Sequence, residues 1–404
     1  MTWKGHGKII VNYDSLEHSF IPENLPTRED IRSRLYDHII RFLEAGRKGF
    51  MGIHIFGNVG TGKTVLSRRI GKDISETFGS DVVTCYVNCR LSRRIYRVVA
   101  DIAQQLSEDL PKRGLSMDEF IELIFIVVNE KASRMLLILD EIDALFRGNE
   151  AKKTTDALYS LSRFLEKPSS TYDLRLVVLS VSRDPSALYK WLDPATRASF
   201  IHLTKHLPPY TPDDLFQILR YRAQLALRDG AITDDSIRFL ANFVGKQQYG
   251  NARIAIDILR TSALIAERMG SSTILPRHLR LAINECALIP SIDIETLLGL
   301  GKQKLLLLLA IVQGLMSTNR NYITKQQAQE YYNMLCEEYG EKPRKSTQIW
   351  RYLKELEHEL KGIMEIYVSG KNQKGRSTRI SINVPLEELE RYVVRVLKET
   401  EKYP

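Results

Sequence analysis

The chain has 404 residues, 58 Lys and Arg against 49 Asp and Glu, a formal net charge of +9, and 44% hydrophobic residues. That length suits two or three domains, and the composition excludes a largely disordered chain. No apolar run reaches the roughly 18 residues of a membrane span. The closest, Leu305 to Met316, is interrupted by Gln313 and reads as a buried helix. The start of the chain has neither an apolar core nor a cleavage site, so no secretory signal is expected. Four cysteines, Cys85, Cys89, Cys286 and Cys336, are too few and too scattered for a disulfide framework. They fit buried thiols in a reducing cytosol.

Residues 27–46 read as a helix, with Thr27 as its cap, Asp30 completing a loose capping box, and Ile31, Leu35, Ile39 and Phe42 at helical spacing. Strands and helices then alternate: strand 50–56, helix 62–78, strand 82–87, helix 95–106, a turn at 111–114, helix 117–131, strand 135–140, helix 152–165 and strand 174–181. Such alternation predicts a parallel sheet with helices on both faces. After Pro208 and Pro209 the pattern becomes helical: 212–228, 233–245, 251–268 and 276–287, with Thr233 a good helix start. Beyond a 290–301 linker come helices at 302–317, 324–338 and 346–360, then strands at 363–368 and 378–384. Three helices and a hairpin resemble a winged helix–turn–helix. The reading is therefore a nucleotide-binding α/β domain at 1–209, a helical lid at 210–290 and a winged-helix domain at 291–404.

Gly57, Asn58, Val59, Gly60, Thr61, Gly62, Lys63 and Thr64 match G-x-x-x-x-G-K-[ST] at every fixed position. The match follows an apolar strand and opens a helix, which is the layout phosphate binding needs. Glycines let successive backbone N–H groups turn inward, and the helix N-terminus adds its positive end. Lys63 is placed to meet the β- and γ-phosphates of ATP or ADP, and Thr64 to hold Mg²⁺. The apolar strand from Leu136 delivers Asp140 and Glu141 to the same sheet edge. Asp140 would join the Mg²⁺ shell, and Glu141 would orient or deprotonate the attacking water. Asp143 reads as a helix cap.

The excess charge is local. Residues 1–301 carry 40 basic and 36 acidic side chains, residues 302–380 carry 14 and 8, and the remainder 4 and 5. Helix 346–360 places Ile349, Leu353, Leu356 and Leu360 on one face, leaving Gln348 and Arg351 outward with Thr347 and Lys354 at the flanks. Arg344, Lys345, Ser346 and Thr347 lie at its N-terminal end, where N–H groups and bases meet phosphates. This suits a recognition helix in a major groove of double-stranded DNA. Lys371, Lys374, Arg376 and Arg379, on the hairpin, suit a wing on the backbone or in a minor groove.

The ordered motifs resemble an AAA+ ATPase, and the whole layout resembles the archaeal origin-recognition and cell-division-control family of replication initiators. The resemblance is carried by Leu25-Pro26-Thr27-Arg28-Glu29, the phosphate loop, Val87-Asn88-Cys89-Arg90, Leu192-Asp193-Pro194, Pro208-Pro209-Tyr210-Thr211, Gly250-Asn251-Ala252-Arg253 and the winged domain. It implies that Arg253 senses the γ-phosphate from the lid, that Tyr210 and Arg222 close over the nucleotide, and that Pro26 and Arg28 lie near the adenine. Two departures stand out. Arg183 occupies the place where the family usually has Asn as the first sensor, so Arg183 or Ser182 takes that role. Ala195 stands where the family often has Arg, leaving Arg197 as the candidate arginine finger. Both favour slow turnover and a nucleotide-state switch. The resemblance also implies a DNA-touching helical insertion in the ATPase domain, whose position the sequence leaves open; the region 90–113, with Arg93, Arg94, Arg97 and Lys112, is a candidate.

The resemblance implies an origin-binding initiator that regulates helicase loading, with a replicative helicase and initiator paralogues as partners and no membrane partner. The expected location is cytoplasmic, on the nucleoid. The alternative reading is an ATP-gated transcription regulator using the same module. A clamp-loader-like motor would have no need of the basic wing.

Overall fold

The computed structural model describes residues 9–46, 48–111, 113–166, 172–287, 294–368 and 377–402. The chain forms two compact units, one of residues 19–210 and one that joins residues up to His18 to those from Thr211 onward.

The first unit begins with α1 (Glu29–Glu44), followed by β1 (Gly49–Phe56), α2 (Lys63–Phe78), β2 (Val82–Asn88), α3 (Cys89–Ser92), α4 (Ile95–Leu106), α5 (Met117–Lys131) and β3 (Arg134–Asp140). It continues with α6 (Glu150–Arg163), β4 (Arg175–Ser182), α7 (Pro185–Trp191), α8 (Pro194–Phe200) and β5 (Leu203–His206). The sheet order is β2-β3-β4-β1-β5, with every pairing parallel. Alternation along β3 explains why the whole strand is apolar. Met135, Leu137 and Leu139 pack with residues of α4, α5 and α6, whereas Leu136 and Ile138 join residues of α1 and α2 on the opposite face. The parallel α/β sandwich is therefore as expected.

Local details differ from the sequence reading. Thr27 does not cap α1: it has a left-handed φ of 69°, and the cap position is Arg28, with no side-chain cap bond. Glu29 instead turns back to accept from the Leu25 amide. Asp143 caps nothing either. It lies inside the short 3-10 turn Ile142–Leu145, where burial raises its carboxyl pKa and Oδ1 has no hydrogen-bond partner. The elements α7, α8 and β5 are additional to those read from periodicity.

In the second unit the lid comprises α9 (Pro212–Ala226), α10 (Asp234–Gln247), α11 (Ala252–Arg268) and α12 (Pro276–Cys286). Thr211 and Asp214 form a capping box on α9, Thr233 caps α10, and Asn251 caps α11 by accepting from the Arg253 and Ile254 amides. Residues 9–18, placed in the nucleotide-binding domain by the sequence reading, pack on this lid. Ile9 and Leu16 are fully buried, and Glu267 Oε1 accepts from the Ile9 and Ile10 amides at 2.7 and 3.0 Å.

The remainder contains α13 (Ile294–Leu298), α14 (Lys302–Thr318), β6 (Ile323–Thr324), α15 (Lys325–Glu338), α16 (Ser346–Glu359), β7 (Met364–Val368), β8 (Thr378–Ile382) and α17 (Leu386–Lys402). The sheet β6-β8-β7 is antiparallel. Residues 305–312 of α14 are all buried, which places this helix at the centre of the winged-helix core. α17 lies beyond the elements expected from periodicity, and its Leu389, Val393, Val396 and Leu397 complete that core.

Polar contacts join lid to winged helix. Arg280 of α12, only 2% exposed, donates from Nε to the Ile382 carbonyl at 2.9 Å and from Nη2 to the Arg320 carbonyl at 3.2 Å. Burial lowers its pKa to about 10. Buried Glu365 of β7 accepts from Gln247 at 3.1 Å and pairs with Lys246 at 3.4 Å. Arg280→Ala would orphan two carbonyls and should destabilise this unit by about 2–3 kcal/mol, read as an earlier thermal transition of the full chain.

A pH dependence also follows. Burial lowers the pKa of His54 in the first unit and of His278 in the second to about 4 each, with Arg277 a lesser cause for His278. Both values lie below the unfolded one, so unfolding takes up protons between about pH 6.5 and pH 4. Stability should be full above pH 6.5 and fall as the pH drops through that window, measurable by thermal denaturation across it.

Candidate nucleotide site and nucleic-acid surface

The β1–α2 connection forms the candidate phosphate loop. Gly57, Gly60 and Gly62 all have positive φ, at 154°, 78° and 84°. A β-carbon on Gly57 would strike the Leu207 carbonyl, and one on Gly62 would strike the Tyr210 hydroxyl, so glycine is required at both. Asn58 and Val59 are exposed at the loop tip, while buried Thr61 donates to the Asn58 carbonyl at 2.9 Å. Lys63 opens α2 and is mostly buried. Its Nζ donates to the Gly57 and Asn58 carbonyls at 2.6 and 2.7 Å, and burial lowers its pKa.

Parallel pairing of β3 between β2 and β4 brings Asp140 to this loop. Thr64 Oγ1 donates to Asp140 Oδ2 at 2.8 Å, and the Tyr86 hydroxyl donates to the same oxygen at 2.9 Å. Asp140 is 1% exposed, and its Oδ1 accepts from the Glu141 amide at 3.0 Å. Tyr86 was not singled out in the sequence; its signal is its place two residues before the end of β2, paired with Ile138 of β3. Burial, followed by the Asp140 charge, raises the Tyr86 pKa, so the hydroxyl stays protonated and can only donate to that carboxylate.

Glu141 follows with a left-handed φ of 53°. Its Oε1 meets Arg183 Nη2 at 2.9 Å and Arg90 Nη1 at 3.5 Å, and its Oε2 accepts from Asn88 at 3.4 Å. Although burial opposes it, the combined effect of Arg183, Asn88 and Arg90 lowers the Glu141 pKa. At the end of β4, Arg183 faces Glu141. Ser182 is turned away into a buried contact with His54. Arg28 stacks over the Tyr210 ring at 4.4 Å and donates to the Pro208 carbonyl at 2.6 Å; Pro26 is half-buried nearby in sequence. Arg197, midway along α8, lies over the Tyr189 ring at 5.2 Å.

In the second unit Arg253 is exposed in the first turn of α11. Arg222 is buried, donates to the Ser15 carbonyl at 2.6 Å, and has its pKa lowered by burial to about 10.

The residues of the loop fit a magnesium nucleotide. Thr64 and Asp140 present hydroxyl and carboxylate oxygens, the donor class a hard cation prefers, and the glycine backbone suits phosphate. Among the described residues, no cluster of His, Cys, Asp and Glu forms a separate metal site.

On the winged domain, Ile349, Leu353, Leu356 and Leu360 are buried as expected. Arg344, Lys345, Ser346, Thr347, Arg351 and Lys354 are exposed, and Gln348 is half-exposed. Arg351 pairs with Glu355 at 2.8 Å, and Lys354 with Glu357 at 2.8 Å. Trp350, passed over in the sequence, is 38% exposed on the same helix, with Lys325 and Lys354 ammonium groups 5.7 and 5.2 Å from its ring. Arg379 is half-buried, stacked on Tyr322 at 4.0 Å; Lys371, Lys374 and Arg376 lie outside the described residues. In the 90–113 region Arg90, Arg93, Arg94 and Arg97 are exposed around α3 and α4, and Lys112 is outside the described residues.

A phosphate loop and an acidic strand end on a parallel sheet, with a helical lid and a winged helix following in the chain, place this protein among the AAA+ ATPases. Domain comparisons agree: residues 32–184 match the AAA domain, 216–284 the Cdc6 AAA+ ATPase-type lid domain, and 295–392 the CDC6 C-terminal winged helix domain. The chain is 33% identical over 397 residues to ORC1-type DNA replication protein 2 of Saccharolobus solfataricus, covering 96% of this chain and 94% of that protein. Its structure resembles that of Cdc6p from Pyrobaculum aerophilum at a TM-score of 0.82 and 32% identity, over 97% and 99% of the two chains. The Aeropyrum pernix ORC1 protein, solved in complex with DNA, shares the fold at a TM-score of 0.60 and 24% identity, over 98% of each chain. The chain belongs to the ORC1/Cdc6 family of archaeal DNA replication initiators. Among the described residues no helix is long and apolar enough to cross a membrane.

Tyr86→Phe removes one hydroxyl donor from Asp140 while keeping the ring. Magnesium-dependent nucleotide affinity should fall about three- to tenfold, by titration with and without Mg²⁺.

Proposed function

We propose that this protein is an ATP-binding replication initiator that binds duplex DNA at replication origins and uses slow ATP hydrolysis as a switch that regulates initiation and helicase loading. The carrying observation is the meeting of Thr64, Asp140 and the Lys63 loop at one sheet edge, with Glu141 beside them.

In this reading the backbone of residues 57–62 and Lys63 bind the nucleotide phosphates, while Thr64 and Asp140 hold Mg²⁺. The bound ion would neutralise phosphate charge. Glu141 orients the attacking water. Both of its oxygens are engaged by Arg183, Arg90 and Asn88, which supports slow turnover. Arg28, Pro26 and Tyr210 serve the base side, Arg222 and Arg253 act from the lid, and Arg197 serves a neighbouring subunit.

On the winged domain, Arg344, Lys345, Ser346, Thr347, Gln348, Arg351 and Lys354 are the proposed major-groove contacts, with Arg379 and, in the sequence between β7 and β8, Lys371, Lys374 and Arg376 as further DNA contacts. The fold shared with an ORC1 protein solved on DNA supports this assignment. A replicative helicase and initiator paralogues are the proposed protein partners, and the nucleoid the proposed location.

Two experiments test the reading. Lys63→Ala should abolish nucleotide binding and Glu141→Gln should abolish hydrolysis while sparing binding; full nucleotide affinity in the lysine variant would remove the ATPase premise. Arg183→Asn should raise turnover by up to about fivefold, the equivalent of freeing Glu141 from a half-exposed ion pair. For DNA, Arg351→Ala combined with Arg376→Ala should weaken duplex binding and reduce the salt slope by about two. Equal affinity for origin and random duplexes at physiological salt would contradict origin recognition.

A further inference from the structure

Central strands of a buried parallel sheet are normally filled by aliphatic residues, yet β1 carries a histidine at its middle. His54 is fully buried, and both its ring nitrogens meet serine hydroxyls of β4. Nδ1 lies 2.9 Å from Ser180 Oγ, and Nε2 lies 3.1 Å from Ser182 Oγ. Strand register explains the reach: His54 pairs with Ser180, and Phe56 with Ser182. Ser180 Oγ also lies 3.2 Å from the Ile53 carbonyl, and Ser182 Oγ lies 3.1 Å from the Asp184 carbonyl.

Burial keeps the ring neutral, so one nitrogen donates and the other accepts. With the proton on Nε2, the ring donates to Ser182, whose hydroxyl then donates to the Asp184 carbonyl. Ser180 then gives its single proton to Nδ1 in place of the Ile53 carbonyl, so both ring nitrogens have partners, which offsets part of the desolvation of a buried imidazole. The same chain of bonds anchors the residues on both sides of Arg183. The Arg183 guanidinium is the shortest contact of Glu141, at 2.9 Å.

We propose that His54 is a positioning residue for the nucleotide site: through Ser182 and the Asp184 carbonyl it fixes the carboxyl end of β4 and so holds Arg183 against Glu141. Its effect on turnover rests on the reading that Glu141 serves ATP hydrolysis. The cluster touches neither the phosphate loop side chains nor Asp140 directly, so it acts on Glu141 and not on nucleotide affinity.

The test compares full-length variants by steady-state ATP hydrolysis, nucleotide titration and crystallography. Gln at position 54 reaches as far as Nε2, whereas Asn reaches only as far as Nδ1. His54→Gln should therefore keep near-native turnover. His54→Asn and the nearly isosteric Ser182→Ala should each raise kcat by about twofold, part of the effect of freeing the ion pair. KM should not move, and neither variant should add to Arg183→Asn. Equal effects of His54→Gln and His54→Asn, unchanged kcat in Ser182→Ala, or additivity with Arg183→Asn would overturn the proposal. Glu141→Gln provides the separate control: native turnover there would sink the hydrolysis reading alone. The crystal structure of Ser182→Ala then decides the positioning itself. Displacement of Arg183 from Glu141 upholds it, and an unmoved pair overturns it.

Discussion

The hydrogen bond from Thr64 to Asp140 joins two segments that only the sheet can bring together. Thr64 stands at the start of α2, after β1, and Asp140 at the end of β3, with β4 lying between those strands in the sheet. Their contact therefore depends on the parallel register of three strands, each held by side chains on two faces. A one-residue slip of β3 would turn Leu136 and Ile138 to the wrong layer and carry Asp140 away from the loop. Burial of the strand core and placement of the acid are thus one constraint, satisfied by a run of residues that are all apolar until the acid.

The same geometry imposes a restraint on Glu141. Its backbone is left-handed, and its side chain is drawn toward Arg183, Arg90 and Asn88, from the ends of β4 and β2 and the short helix after β2. An exposed ion pair would contribute little to stability. Here Arg183, Arg90 and Asn88 together engage both oxygens of the carboxylate next to Asp140. Pairing lowers its proton affinity and engages both its oxygens; under the role proposed for Glu141 in ordering water, that arrangement favours holding nucleotide over consuming it.

Much of this was legible in sequence because it rests on periodicity and on motifs with fixed spacing. The sheet, its helices, the phosphate loop, Asp140 and the apolar face of α16 all follow from such patterns. What escaped depended on register or on short segments. β5 has four residues, two of them exposed, and gives little hydrophobic signal. α7 and α8 are seven residues each, started by Asp-Pro pairs that read equally well as turns. Tyr86 became a site residue, and the contacts of Asn88 and Arg183 with Glu141 became visible, only when the ends of β2, β3 and β4 were aligned. Thr27 shows the reverse error: a good capping residue in composition is held left-handed, and Glu29 supplies the local bond.

The distribution of charge gains meaning from the second unit. The basic surplus belongs to the winged helix, but that domain does not sit on a bare tether beside the lid. Arg280 places a charge in the shared interior and satisfies two winged-helix carbonyls, while Glu365 draws Lys246 and Gln247 of the lid onto β7. Separating these surfaces would break these bonds and expose the apolar surroundings of Arg280, while Glu365 would keep its bond from Asn383. The lid helix carrying Arg253 and the helix α16 carrying Arg351 belong to one packed unit. A displacement of that unit at one end is a displacement at the other, which is the mechanical condition any coupling between nucleotide and DNA would require.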